Sequence, residues 1–165
     1  MVSAKELNKL FIYKDGKLYW RFVEGRRKET NNRFSGKEAG SLLKGGYKIV
    51  SYNCCGKKYK QLIHRVIYAM HYDAWPAMID HIDREPKNNC VENLRPADKR
   101  LNSINRGKPA NNTSGVRGIS WNKRVKRWEV YIKDRQKRYN LGHYDCLGQA
   151  IRARKSAEKV FWNDV

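Results

Sequence analysis

The chain has 165 residues, which suits one domain or two small ones. Its 36 Lys and Arg outnumber its 16 Asp and Glu, giving a formal charge of +20, yet 40 % of the residues are apolar and 12 % are aromatic. This apolar content excludes a disordered polybasic tail, and no apolar run approaches the ~18 residues of a membrane span. A charge this large predicts a polyanionic partner, although charge alone does not separate DNA, RNA and an anionic membrane surface.

The pattern of the first sixty residues predicts mainly strands. Residues 11–22 contain two β-prone runs around Asp15-Gly16, which indicates a hairpin. The polar, basic residues 24–39 are typical of a loop. Two further strands are expected at 47–53 and 57–63, with a turn near Cys55-Gly56.

A short buried helix is predicted at residues 63–71, because Ile63, Val66, Ile67 and Met70 recur at helical spacing. We expect Pro76 to end that stretch and residues 83–89 to form a loop. Pro96 suits the first position of a helix that runs to about Asn105.

Residues 107–114 are rich in Gly, Pro, Asn and Ser, which favours a linker. Three β-like runs follow, and from Leu147 the period changes to 3.6. The predicted apolar face of this last helix comprises Ala150, Ile151, Ala153, Ala157, Val160 and Phe161. We therefore expect an α+β protein with domains at 1–107 and 115–165, joined by residues 108–114.

The charge is unevenly distributed. Residues 1–60 carry a net +10 and residues 95–140 a net +11, whereas residues 61–94 carry a net −2. A phosphate-binding surface around a carboxylate-containing metal pocket has this pattern, and so does a solvated acidic loop.

Within this less basic region, four residues form a pattern that can support chemistry. Asp80 offers a hard carboxylate oxygen and Asn102 an amide oxygen, which suit Mg²⁺. His81 follows Asp80 on an expected strand and so points the opposite way, where it can act as a general base toward water. Asn93 can tie the intervening loop through side-chain to backbone hydrogen bonds. Each residue alone has a structural explanation, and their combination favours a site.

The stretch from His64 to Arg106 resembles the HNH endonucleases, in particular phage-type homing endonucleases of the ββα-metal fold. The motif elements are His64-Arg65, Ile79 to Asp83, Glu92 to Arg95, and Asn102 in place of the last His. The resemblance implies His81 as general base, Asn93 as the loop-positioning residue, and Asp80 and Asn102 as ligands of Mg²⁺ or Mn²⁺. It also implies DNA hydrolysis to a 5′ phosphate and a 3′ hydroxyl.

Several assignments stay open at this stage. Asn105 lies one helical turn from Asn102 and competes with it as the metal ligand. Arg65 either contacts a DNA phosphate or makes a structural contact, and His64 is expected to be structural. The four Cys contain no CxxC pair, so we expect free thiols and no structural zinc.

Residues 114–157 resemble the AP2 DNA-binding domain. The resemblance lies in Gly115 to Gly118, Trp121, Trp128, Leu141-Gly142 and the Ala-rich helix. It implies a three-stranded antiparallel sheet packed on one helix, with the sheet in the DNA major groove. The residues implied to face DNA are Arg117, Trp121, Lys133 and Arg138. Ile119 and Asn140 depart from the plant pattern, so base preference does not transfer.

Together these features predict a Mg²⁺-dependent endonuclease that an AP2-like domain anchors on double-stranded DNA. We expect a monomer that nicks one strand, without membrane contact, in the cytoplasm of a bacterial host. Two alternatives remain: a non-catalytic DNA-binding regulator that retains an HNH scaffold, and an RNA-binding protein.

Overall fold

A computed structural model describes residues 1–135 and 137–163 of the chain. It is an α+β protein with two compact units, Met1–Ala97 and Asp98–Val165. The boundary between these units lies after Ala97, whereas the sequence predicts that the nuclease domain ends at residue 107. The assignment of a nuclease domain and an AP2-like domain remains a prediction. Among the described residues, no helix has the length and apolar character required to cross a bilayer.

The N-terminal unit begins with helix α1 (Ala4–Leu10), which the sequence analysis did not predict. Ser3 and Glu6 form a reciprocal capping box, in which each side chain bonds to the other residue's backbone N–H. Strands β1 (Phe11–Lys14) and β2 (Lys17–Trp20) follow as the expected hairpin. Its turn residues Asp15 and Gly16 both have positive φ, as a tight two-residue turn requires.

Residues 24–39 are not entirely a loop, because helix α2 (Lys28–Phe34) forms within them. Tertiary contacts stabilise this polar segment. The Asn31 side chain, which is buried, accepts from the backbone N–H of Val23 and donates to its carbonyl oxygen. The Phe34 ring packs on Trp20, with ring centroids 5.8 Å apart.

A three-stranded antiparallel sheet contains β3 (Ser41–Leu42), β4 (Lys48–Cys54) and β5 (Lys57–Leu62), in the order β3-β4-β5. Helix α3 (Ile63–Tyr72) follows β5 directly, and its predicted apolar positions are all buried. The helix ends at Asp73, whose backbone is left-handed, and therefore before Pro76. These elements enclose one core with α1 and the first hairpin.

Strands β6 (Met78–His81) and β7 (Leu94–Ala97) form an antiparallel pair. Pro96 lies in β7 opposite Ile79, so the prediction that it begins a helix is wrong. An edge strand tolerates a proline because its outward side needs no N–H donor. Helix α4 (Lys99–Asn105) begins three residues later, where the Asp98 side chain accepts from the N–H of Leu101.

The C-terminal unit contains α4 and the predicted sheet of three strands packed on one helix. Strands β8 (Ile119–Asn122), β9 (Arg127–Asp134) and β10 (Lys137–Tyr144) are antiparallel in the order β10-β9-β8. Helix α5 (Leu147–Phe161) contacts all three strands. Ile119, Val130 and Ala150 form the centre of this second core.

One side of α5 differs from the predicted apolar face. Val160 is 73 % exposed, whereas Arg154 is 2 % exposed. Arg154 is held by the carbonyl oxygen of Arg117, by Glu158, and by the ring of Trp162 beneath its guanidinium. These hydrogen bonds and this ion pair allow a charged residue to be buried on α5. The spacing of apolar residues in the sequence does not predict it.

Candidate functional site

Asp80 and His81 lie side by side on β6, and both are buried, at 7 % and 4 % exposure. The strand register places Asp80 opposite Arg95 on β7. Oδ2 of Asp80 accepts from Nε and from a terminal nitrogen of Arg95, at 3.2 and 3.1 Å. This ion pair compensates the charge of a carboxylate that is otherwise costly to bury.

The imidazole of His81 is oriented by the loop between β6 and β7. Its Nε2 atom lies 3.1 Å from Oδ1 of Asn89, which is also buried. An amide oxygen only accepts hydrogen bonds, so this contact assigns the proton to Nε2. In this tautomer Nδ1 carries the lone pair and is the ring nitrogen that can accept a proton.

Two aromatic side chains accompany His81. The centroid of His64 lies 5.0 Å and that of Tyr47 5.9 Å from the His81 ring. Burial lowers the pKa of His64 to about 4, with the nearby charges of His81 and Arg65 as smaller causes. His64 is therefore a neutral, buried neighbour at physiological pH, in agreement with its expected structural character.

Asn93 ties together the loop that follows β6. Its Oδ1 accepts from the N–H of Asp83 at 3.0 Å, and its Nδ2 donates to Oδ1 of Asp83 at 2.9 Å. The same amide donates to the carbonyl oxygen of Asn88 at 2.8 Å. Hydrogen bonds from Glu85, Asn88 and Asn93 lower the pKa of Asp83, with the Glu85 N–H as the largest cause. The loop is thus fixed by local polar contacts.

Asn102 and its competitor Asn105 lie on α4, in the C-terminal unit. Asn102 is exposed and Asn105 is buried. The guanidinium of Arg117 donates to the carbonyl oxygens of Ser103, Ile104 and Arg106, so the end of α4 is capped by a side chain of its own unit. Asn102 remains a prediction as a metal ligand.

Asp80 offers a carboxylate oxygen, which is a kind of ligand that Mg²⁺ takes in proteins. The one group of three metal-capable His, Cys, Asp or Glu side chains within residues 1–135 and 137–163 is elsewhere, at Glu6, Cys54 and Cys55. Mg²⁺ needs only one or two protein oxygen ligands, with water and phosphate completing its shell.

The Glu6 and cysteine group is held by a hydrogen bond. The Cys55 thiol donates to Oε1 of Glu6 at 2.7 Å, and this bond is the main cause that raises the pKa of Cys55 to about 11. The Cys55 thiol therefore holds its proton at neutral pH, and a metal ion that binds here would have to displace it.

The other predicted DNA contacts have varied surroundings. Arg65 donates to the carbonyl oxygens of Pro76 and Ala77, and so supports the segment before β6. Lys133 and Arg138 are register partners on β9 and β10 and share one exposed face of the sheet. The guanidinium of Arg138 lies 3.9 Å from the Tyr131 ring centroid and donates to Glu129. Trp121 pairs with Trp128 and shares the opposite, α5-facing side.

Three residues around Asp80 and His81 were not singled out from the sequence: Tyr47, Asn89 and Arg95. Arg95 belongs to the quoted motif, but its role as the partner of Asp80 depends on the β6–β7 register. Asn89 lies in a turn-rich segment where asparagine is common, so only its contact with His81 distinguishes it.

Residues 61–103 match the family of HNH endonucleases. The chain is also 41 % identical over 69 residues to Protein 3.8 of Escherichia phage T7, across 42 % of this chain and 57 % of the phage protein. It thus matches little more than half the length of that relative. The chain is also similar to a solved structure that describes DNA binding and cleavage by the HNH homing endonuclease I-HmuI, with 22 % sequence identity and a TM-score of 0.45. That similarity covers 63 % of this chain and 55 % of I-HmuI, and at this score it does not establish a shared fold.

Proposed function

We propose that the protein is a DNA endonuclease of the HNH type that hydrolyses a phosphodiester bond. The observation that carries the proposal is the buried pair on β6, in which Asp80 is charge-compensated and His81 is oriented through Nε2. The match of residues 61–103 to the HNH endonucleases supports it. A histidine that is fixed in one tautomer by a hydrogen bond is suited to general-base catalysis.

In this proposal Nδ1 of His81 removes the proton from the attacking water, and Asn89 holds the ring so that this nitrogen is the basic one. Asn93 keeps the loop that carries Asn89 in place. Asp80 and Asn102 hold Mg²⁺ or Mn²⁺, with Asn105 as the alternative to Asn102. Such an ion supplies electrostatic stabilisation of the charge that develops on the phosphodiester.

We further propose that the C-terminal unit is AP2-like and anchors the enzyme on double-stranded DNA. Support comes from the sheet of three strands on one helix and from the exposed pair Lys133 and Arg138. Tyr131 orients Arg138 by stacking, which prepares a guanidinium for phosphate or guanine. Arg65, Arg117 and Trp121 remain predictions as DNA contacts. The phage relative is consistent with action in a bacterial host.

The decisive experiment is cleavage of supercoiled plasmid and phage genomic DNA, with Mg²⁺ or with EDTA. We expect wild type to produce nicked circles only with the metal. His81→Ala should cleave at least ~100-fold more slowly while binding DNA equally well, because a lost general base costs about 10²- to 10⁴-fold. His71→Gln is the matched control, since His71 is exposed on α3 and should leave cleavage unchanged.

A non-catalytic DNA-binding regulator is the second candidate. The exposed basic pair Lys133 and Arg138 favours it, because this pair accounts for DNA binding without any catalytic residue. It predicts that wild type and His81→Ala bind equally tightly and that neither cleaves any substrate with Mg²⁺ or Mn²⁺. Equal cleavage by both proteins would instead assign the base to another residue.

A further inference from the structure

A cavity of about 440 Å³ lies in the N-terminal unit, beside α2. Three aromatic residues, Trp20, Phe34 and Tyr52, line it together with three cationic ones, Arg26, Arg27 and Lys58. None of the described residues that line it is acidic. Its volume is within the range of about 300–1,000 Å³ found for small-ligand sites. The cavity is therefore suited to an anion with an aromatic or apolar part.

Two of these aromatic residues offer a surface for stacking. The rings of Trp20 and Phe34 are tilted by 53° with centroids 5.8 Å apart, and Phe34 is 36 % exposed. The guanidinium of Arg26 lies 6.0 Å from the Trp20 ring. A nucleobase can stack on such a ring only after it leaves its own stack, as in single strands and at unpaired positions.

Polar groups accompany these rings. Ser51 and Asn53 are exposed on β4 and line the cavity, where they offer donors and acceptors to the edge of a base. Tyr52 also lines it, and its buried hydroxyl has no hydrogen-bond partner among the described residues. Burial raises the pKa of Tyr52 to about 12, so the hydroxyl stays a donor at neutral pH. Tyr52 alternates with Ser51 and Asn53 along β4 and belongs to the core, so the two exposed residues supply the polar groups of the cavity.

We propose that this cavity binds one unstacked nucleotide of a DNA strand, with the base beside Phe34 and the phosphate between Arg26 and Arg27. A nucleotide combines the aromatic face, the polar edge and the negative charge that the lining matches. Lys58 adds a third cation for a neighbouring phosphate. The inference rests on the proposed DNA binding and adds a preference for unpaired positions.

The test compares three fluorescein-labelled DNAs of equal length by anisotropy at two salt concentrations: a single strand, a duplex with one unpaired thymidine, and a fully paired duplex. The variants are Phe34→Ala and Arg27→Gln. Their controls are Phe22→Ala and Arg21→Gln, because Phe22 and Arg21 are exposed nearby but do not line the cavity. Free deoxyadenosine monophosphate serves as a competitor, to separate a free nucleotide from a strand.

We expect wild type to prefer the single strand and the unpaired duplex over the paired one, and Phe34→Ala to reduce that preference about tenfold, a typical effect of losing one stacked base. The controls should retain it. Equal preference in wild type and Phe34→Ala, or an equal loss on all three DNAs, would overturn the proposal. Displacement by the free nucleotide at low concentration would also overturn it, in favour of a mononucleotide site.

A second measurement does not depend on a folded variant. With 5-iodouracil at the unpaired position, photocrosslinking to the wild-type protein should mark a peptide within residues 20–34 or 51–58. Crosslinks confined to other segments would contradict the site. Plasmid cleavage separates the two proposals: cleavage without a preference for unpaired DNA refutes only the cavity, and preference without cleavage refutes only the nuclease.

Discussion

The Nε2 atom of His81 lies 3.1 Å from Oδ1 of Asn89, across the loop that joins β6 to β7. The two residues are eight positions apart, and both are buried. The loop therefore determines which nitrogen of His81 is basic. Asn93 in turn holds this loop through Asp83 and Asn88, so the three side chains act as one unit.

Asn89 should act as a positioning residue. Asn89→Ala removes the acceptor for Nε2, and we expect cleavage to slow by about 10- to 100-fold with unchanged DNA binding, as for other residues that orient an essential group. Asn89→Asp retains an acceptor for Nε2 and should therefore keep more of the wild-type cleavage rate than Asn89→Ala. Cleavage at the wild-type rate in Asn89→Ala, or an equal loss in both variants, would refute the role of Asn89.

His64 should make the N-terminal unit sensitive to acid. Its folded pKa of about 4 is below its ordinary value of 6.5, so between these pH values the unfolded chain binds a proton that the folded chain does not. This contribution to stability is fully present above pH 6.5 and is lost as the pH falls toward 4. The difference corresponds to about 3 kcal/mol.

The check is urea unfolding at pH 4, 5 and 7, followed by circular dichroism. His64→Gln should lose less stability over this interval than wild type, whereas His71→Gln should behave as wild type. The prediction fails if wild type and His64→Gln lose the same free energy of unfolding between pH 7 and pH 4.

Lys133 and Arg138 should contribute electrostatically to DNA affinity. Each alanine substitution should weaken binding and reduce the slope of log affinity against log salt by ~1, the value for one phosphate contact. Arg152→Ala is the charge-matched control, since Arg152 is exposed on α5, which packs on the opposite face of the sheet. Titrations at four salt concentrations measure the slopes. Equal slopes for Arg138→Ala and Arg152→Ala would exclude this face as a specific contact.

Gly118 should be the least replaceable glycine of the C-terminal unit. Its φ is +80°, and an added Cβ would lie 2.4 Å from the carbonyl oxygen of Tyr131. Gly115 has a similar φ of +77° but open space around it. Gly115→Ala therefore measures the backbone cost alone, about 1 kcal/mol, and Gly118→Ala adds a steric clash with the backbone.

Hydrogen exchange of the β9 amides compares these two variants directly. We expect Gly118→Ala to lose protection by at least ~2 kcal/mol more than Gly115→Ala, within the range for overpacked sites. Similar protection in the two variants would show that β9 moves to accommodate the methyl group.

Local signals account for what the sequence could predict of the fold. Asp15-Gly16 and Cys55-Gly56 set their turns through positive φ, and both predicted hairpins are confirmed. The Ser3–Glu6 capping box was equally available in the sequence as a signal for α1. In contrast, α2 and the buried Arg154 depend on tertiary partners, and Pro96 is in a strand because β6 pairs with its segment.

In the candidate site, too, the local features were predictable from the sequence and the tertiary contacts were not. The order Asp80, His81, Asn93 was visible as a motif, because the residue types and their spacing are local. The partners that make those residues chemically competent come from pairing and loop closure. Arg95 meets Asp80 through strand register, and Asn89 reaches His81 through a loop held by side chains. Neither relationship follows from spacing alone.

The contacts of helix α4 with the C-terminal unit determine where a gene fusion can join the two units. Its end is held by Arg117, and Arg100 on its side reaches Asp134 and the carbonyl oxygen of Phe161, all within the C-terminal unit. A gene fusion made within residues 108–114 would separate α4 from these supports, whereas a fusion between Ala97 and Asp98 would transfer them together. A chain that receives a different C-terminal unit at this point would therefore also receive a different residue at position 102. Replacing the unit proposed to bind DNA would replace a proposed metal ligand as well.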